Sequence, residues 1–557
     1  MTALRPGVSV AILCGLLGLA AWAVLAAPPG NLRPLLPEPV PHGAPDPPPT
    51  PPPPTPGPNP NPGNNPVPEV CRTGPALAST EVVALIEAAA LAVDDERMVI
   101  AVVDRAGNPL GVYGKSAVRP GDEEVALGLA RTAAFFSNDT APLSSRTVRF
   151  VSGIHFPPGI DNTPNAALYG IENTNRGCAL NVPFVGGQSI NPARSLRGIV
   201  QNLPCRSSAN PSDRRGCSDG PVTGKASLAE SAAEQRRVNP GGVPIFRFPA
   251  GPLVGGIGVA GIAPEAAEFA AFSGAFSGTF GLDLSLLGSP GVVFIDGVRL
   301  PFVDTLRPPP GVQPGNLNTL APIFAATDGR CAPEGFLVTP RAGADLSTAE
   351  VGAIVEQARA AAGRTRALIR LPAGSRTRMV IAVGDLDGRI LALFRMEDAP
   401  VFSIDVAVAK ARNVVYFTTT PGGDLPGVPP GTAVTNRTIS FGAQPLYPPG
   451  IGVPGGTPPG PFFGLFQRDT ASPCSQGLQP PNPNQNGVVF FPGAIPLYRG
   501  NTLVGGLGIS GDGVEQDDYV SFEGAAGFRP DPAIWADRIF VDGVRLPFLK
   551  FPRNPEG

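Results

Sequence analysis

Few side chains in this sequence could carry chemistry, and their spacing narrows what that chemistry would be. The segment SGDGVEQDDY sets Asp512, Glu515, Asp517 and Asp518 within seven residues, a donor set suited to a hard cation such as calcium. It lacks the twelve-residue loop spacing of a dedicated calcium site. The plainer expectation is a solvated helix start, where carboxylates complement the positive end of the helix dipole. Lys410 stands inside an otherwise apolar helical stretch and Arg395 ends a strand. Both could meet a ligand's carboxylates, although side chains of this kind ordinarily reach along an apolar surface to water. Met396, Tyr416, Tyr447, Tyr498 and His155 are candidate axial iron ligands, while Met and Tyr in such strands ordinarily pack in a core. His155 is the only histidine beyond the Pro-rich segment, and there is no CxxC and no GxSxG. Neither a zinc centre nor a hydrolase triad can therefore be assembled.

Two GxGxxG runs, Gly256, Gly258, Gly261 and Gly506, Gly508, Gly511, invite a dinucleotide reading. That motif needs a strand leading into a helix in a parallel βαβ unit. Here the glycines lie in the second arm of a hairpin, so they are expected to let another backbone approach closely.

The elements that must position these residues occur twice. RMVIAVVDRAGNPLGVYGKS from Arg97 returns as RMVIAVGDLDGRILALFRM from Arg378, and Val125 aligns with Val406, each 281 positions on. Repetition of a strand, turn, strand, helix unit at one offset marks a duplicated domain. RTVRFVSGIHFPPGI from Arg146 matches RTISFGAQPLYPPGI from Arg437 and reads as strand or loop; VPIFRFPAGPLVGGIGVAG matches AIPLYRGNTLVGGLGISG; FIDGVRLPF matches FVDGVRLPF. Each copy reads as helix, hairpin, helix, strand or loop, hairpin, helix, hairpin. Strands joined by tight turns are antiparallel. The expected fold class is α+β: two tandem copies of an antiparallel sheet flanked by helices, with long Pro/Gly-rich loop insertions. The expected boundaries are 71–305 with an insertion at about 161–242, a linker at 306–335, and 336–557 with an insertion at about 420–487.

The 557 residues carry a net charge of −3 with 16% charged residues, which offers no basic field for nucleic acid. Residues 1–27 read as an export signal, with an apolar run from Val8 to Leu25 and small residues at Val24 and Ala26. An uncleaved membrane anchor is the alternative. Residues 28–70 are a Pro-rich spacer. The bulk of the chain is then exported, periplasmic or extracellular. Six cysteines remain beyond Cys14, an even number that suits disulfides in an exported chain. Their places in the repeat suggest Cys71 with Cys178, Cys331 with Cys474, and Cys205 with Cys217.

The second copy resembles the GlcG/HbpS-like haem-binding and haem-degrading family, related to the C-terminal domain of PduO-type proteins. The residues that carry the resemblance are IAVGDLDGRILALFRMEDA, AVAKA, GAIPLY and LVGGLGISGDGVEQDD, spread over most of 346–527. The first copy departs at polar positions: Leu129 replaces Lys410 and Lys115 replaces Met396. The resemblance implies a haem or other tetrapyrrole cofactor near the second domain, with haem degradation as the associated activity, and Arg395, Met396, Lys410 and Tyr447 as binding residues. It also implies oligomers, so the two copies are expected to form an internal pseudo-symmetric dimer or a homo-oligomer. The competing reading is a non-enzymatic interaction module carried on the Pro-rich stalk. The residues themselves do not decide whether the protein is an enzyme.

Overall fold

The computed structural model describes residues 76–151, 239–249, 251–282, 293–295, 298–419, 423–444, 447, 458–472 and 474–557, with scattered positions between 168 and 180. The export signal, the Pro-rich spacer, His155, Cys71, Cys205 and Cys217 lie outside the described residues. Both copies belong to one compact unit, Asn64–Gly557. Among the described residues no helix is long and apolar enough to cross a membrane.

In the first copy, helix α1 (Ser79–Ala92) precedes the hairpin β1 (Val99–Asp104) and β2 (Pro109–Gly114). Helix α2 (Asp122–Phe136), a short α3 (Ser145–Arg149), the hairpin β3 (Gly242–Phe246) and β4 (Leu253–Ala260), and α4 (Pro264–Ala275) follow. A small hairpin closes the copy, β5 (Phe294–Ile295) with β6 (Val298–Arg299). Strand β7 (Ala321–Phe324) adds to the edge, giving the antiparallel order β3-β4-β1-β2-β7.

The second copy repeats this plan. Strand β8 (Gly335–Val338) and helix α5 (Thr348–Arg364) lead into β9 (Val380–Gly384) and β10 (Ile390–Arg395). Then come α6 (Ser403–Thr419), α7 (Asn436–Gly442), α8 (Phe463–Ala471), β11 (Ala494–Arg499), β12 (Thr502–Ser510) and α9 (Val514–Gly524). Its sheet runs β11-β12-β9-β10-β8, with β13 (Phe540–Val541) and β14 (Val544–Arg545) as the closing hairpin. Both copies are therefore the antiparallel sheet flanked by helices that the sequence implies.

The reason for the glycine runs is steric. A Cβ at Gly258 would sit 2.0 Å from the Ala126 carbonyl oxygen, and one at Gly508 would sit 2.1 Å from that of Ala407. The bare strand lets α2 or α6 lie directly on the sheet, so these glycines serve packing.

Two expectations are corrected. The RT segments at Arg146 and Arg437 begin as short helices, because Ser144 and Thr435 cap them by accepting from the Thr147 and Thr438 amides. The cysteine pairing also differs: Cys178 bonds Cys474 across the two copies, which rules out both Cys71 with Cys178 and Cys331 with Cys474. Cys331 is disulfide-bonded to a partner outside the described residues. The repeat implies that each copy staples itself, whereas Cys178 of the first copy is bonded to Cys474 of the second.

The copies meet through unlike surfaces. The end of α2 lies against the start of α6: Phe136 stacks on Phe402 with centroids 4.3 Å apart, and the Phe402 amide donates to the Phe135 carbonyl. Asn138 Nδ2 donates to the Ile369 carbonyl at 3.2 Å. The Asp139 amide donates to the Asp398 carboxylate, which Arg105 and Arg370 grip from either side. The counterpart surfaces are engaged elsewhere. Near the end of α6, Tyr416 donates to Asp424, which also pairs with Arg468, and at the start of α2, Asp122 pairs with Arg119. Among the described residues the contact between the copies is heterologous, whereas an internal dimer would be isologous.

Candidate functional site

A cavity of about 870 Å³ opens where the copies meet, within the range typical of cofactor sites. One wall comes from the first copy and is almost wholly apolar: Phe136, Leu143, Val148, Val151, Ile171 and Leu300, with Thr147 as its polar member. The second copy supplies Phe402, Phe441 and Phe491 and the charged groups Arg366, Arg370, Arg437, Lys550, Arg553, Glu515 and Asp517. Arg370 and Arg437 are paired with carboxylates behind the wall and Lys550 with Glu515, so the cavity offers a polar, partly cationic edge to a ligand with a broad apolar body.

The polar wall is assembled from three buried ion pairs. Arg437, on the capped helix α7, directs Nε to Asp518. Arg370 Nε donates to Asp512 at 2.8 Å. Lys410 Nζ, on α6, donates to Asp517 Oδ2 at 3.0 Å and to the Ile509 carbonyl at 2.7 Å, above the Phe491 ring. Asp512, Asp517 and Asp518 are at most 2% exposed. The acidic run is therefore neither a calcium loop nor a solvated helix start, since each carboxylate is spent on a basic residue. Burial raises Asp517 to about 7 despite the opposing Lys410 charge. Burial likewise lowers Lys410.

Three cavity residues keep a buried polar atom without a hydrogen-bond partner among the described residues: Arg437 Nη2, Gln444 Oε1 and Asp517 Oδ1. An unmade buried hydrogen bond costs about 1–3 kcal/mol. Three of them belong to residues that line one cavity, where a ligand group would complete them.

The residues singled out from the sequence sit behind this wall or away from it. Lys410 is fully buried and reaches the cavity only through Asp517. Arg395, also fully buried, donates to the Ala399 and Pro333 carbonyls, and burial lowers it to about 10. Neither side chain reaches along the surface to water. Met396 Sδ accepts from the Met379 amide at 3.4 Å, and Tyr447 donates to the Val541 carbonyl while its ring meets Phe441 edge-on. Arg437, Gln444 and Arg370 were not singled out. Arg437 was visible as the repeated residue before a threonine, but its carboxylate partner lies 81 residues away.

The family model described as "Haem degrading protein HbpS-like" matches residues 77–201 and 355–526, just over half of the 557 residues. The chain belongs to the HbpS-like family. The chain is similar to three solved structures. For a PduOC:haem complex, identity is 23%, with 33% of this chain and 94% of that chain covered and a TM-score of 0.22. For protein ORFY of Klebsiella pneumoniae the figures are 19%, 32%, 88% and 0.20. For a double mutant of Streptomyces reticuli HbpS they are 16%, 36%, 95% and 0.20. No curated protein matches the chain. The two matched stretches of this HbpS-like chain fall one in each copy, so the cavity lies between two family domains.

Proposed function

We propose that the protein binds a haem-class tetrapyrrole in the cavity between its two HbpS-like copies, and that it does so as an exported protein. The observation that carries this reading is the cavity itself, with an apolar wall from one copy and a cationic wall with an unpartnered Arg437 Nη2 from the other. A planar macrocycle would lie against Phe136, Phe402 and Phe441. Its carboxylates would meet Arg437 and Lys550, whose side chains can form charge-assisted hydrogen bonds. The pairing of Cys178 with Cys474 supports export, because disulfides persist in oxidising compartments.

The residues fit the macrocycle and its carboxylates better than they fit iron. Among the described lining residues there is no His, Met, Cys or Tyr, the usual axial ligands. Bound haem would supply redox chemistry of its own, and haem degradation is the activity we attach to this reading. The chain's contribution is to bind, orient and shield the ring. Lys410 holds the Asp517 carboxylate in place, and Arg437 anchors the acidic edge.

Titration of the full chain with haemin, followed through the Soret band, tests the proposal. Saturable, near-stoichiometric binding is expected, and Ser440→Trp, which fills the cavity from α7, should abolish it at an unchanged Tm. Unsaturable binding, or full binding in a folded Ser440→Trp variant, would contradict it.

A further inference from the structure

The unpartnered atoms in the cavity are of two kinds. Arg437 Nη2 is a donor and suits a carboxylate. Gln444 Oε1 and, in the ionised carboxylate, Asp517 Oδ1 are acceptors and call for N–H or O–H groups on the ligand. The orientation of the Gln444 amide is fixed by its other end: Nε2 donates to the Ser440 carbonyl at 3.2 Å, so the oxygen is the atom left over. Asp517 is held in the same way, since Lys410 engages Oδ2 and leaves Oδ1 free. Gln444 and Asp517 are only 3% and 2% exposed, so water does not readily answer this demand.

Haem carries no N–H group to offer. Its four pyrrole nitrogens are bonded to iron and carry no hydrogen. A metal-free porphyrin turns its two pyrrole N–H groups inward to the ring centre, out of reach of a side chain beside the ring, whereas a ring-opened tetrapyrrole presents N–H groups to its surroundings. From the pairing of two buried acceptors with one cationic donor, we infer that the cavity selects ring-opened, N–H-bearing tetrapyrroles over the closed macrocycle and its iron complex. This deepens the tetrapyrrole reading above and rests on it. The absence of His, Met, Cys and Tyr from the described lining agrees with it. In a reaction sequence, such a site fits a carrier that receives the product of ring opening.

The inference fixes what each group does. Arg437 recognises the ligand's carboxylate, while Asp517 and Gln444 recognise its nitrogen-bound hydrogens. Lys410 is a positioning residue that acts through Asp517. A site built around hydrogen-bond acceptors discriminates strongly against an analogue that lacks the donor, because its buried acceptors stay unpaired.

The test is parallel titration of the full chain with haemin, protoporphyrin IX and biliverdin, by absorbance and by quenching of intrinsic fluorescence. Gln444→Leu serves as the variant, since it removes one acceptor and leaves the Lys410 pair intact. The expected result is binding of biliverdin at least about tenfold tighter than haemin or protoporphyrin IX, with the preference narrowed several-fold in a folded Gln444→Leu variant. Equal or tighter binding of haemin would overturn the inference and leave the tetrapyrrole reading standing. A preference unchanged in Gln444→Leu would overturn the assignment of that acceptor. Failure of all three probes would remove both readings together.

Discussion

The two copies share a polar frame and differ at buried ion pairs, among them Lys410 with Asp517. Arg146 holds Glu268 in the first copy as Arg437 holds Asp518 in the second. Ser144 and Thr147 donate to the Phe302 and Pro301 carbonyls as Thr435 and Thr438 do to Phe548 and Pro547. Beneath a left-handed glycine in each copy the resemblance ends. A Cβ on Gly241 would meet Leu129 and Ala267, and one on Gly493 would meet Lys410 and Asp517. The same place is filled by an apolar pair in one copy and by an ion pair in the other. Buried ion pairs can often be replaced by apolar residues at little or no cost in stability, and the first copy is such a replacement made within the same fold. The fold therefore does not require Lys410 and Asp517, and their retention beside the cavity points to the ligand.

The largest test of that contrast is to break the pair from one side. Lys410→Leu should destabilise the protein by about 3–5 kcal/mol, because it strands the Asp517 carboxylate in the interior. Urea unfolding checks this, and a loss below about 1 kcal/mol would show that Asp517 is easily accommodated alone. Removing the disulfide that joins the copies, with Cys178→Ser, should lower stability by about 2–5 kcal/mol, read by the same unfolding curve.

A finer test swaps the shared arginines. Arg146→Lys and Arg437→Lys each keep a cation opposite the carboxylate, so both should fold with modest and similar losses. Only Arg437→Lys should weaken tetrapyrrole binding, by about tenfold, since a lysine cannot hold Asp518 and a ligand carboxylate in one fork. Equal effects in a binding titration would remove the asymmetry between the copies.

The smallest effect is on pH dependence. The folded Asp517 carboxyl is raised from 3.8 to about 7, so between these values the folded state holds the proton more tightly than the unfolded chain. Its contribution to stability falls as pH rises through that window and is constant above it. Asp104 and Asp139, both raised by burial to about 6, add to the slope. Unfolding measured from pH 4 to 8 should show a shallower decline once Asp517 is replaced by Ala together with Lys410→Leu.

How much of this was legible in the sequence depends on how far each interaction reaches. Hairpins, helices and the duplication were readable because their signals are local: the Asp387-Gly388 turn, the paired glycines, the constant offset. The short helices at Arg146 and Arg437 were readable in principle from their Ser144 and Thr435 caps, yet apolar content favoured a strand. The site was less legible. Lys410 stands out in the sequence as a charge among apolar residues, but Asp517, 107 residues on, reads there as a solvated carboxylate. Arg395 drew notice for the same reason, and its role is to hold backbone carbonyls. The cavity itself requires both copies in contact, and no pattern within one copy shows which surfaces meet.

The most direct test of the central claim is the double variant Lys410→Leu with Asp517→Ala, which installs the first copy's pair in the second. Unfolding and tetrapyrrole titration would be measured on the same preparation. The account predicts stability within about 1–2 kcal/mol of the parent chain together with loss of most of the binding. Parental binding in a folded double variant would show that the pair belongs to the fold after all, and would contradict the account.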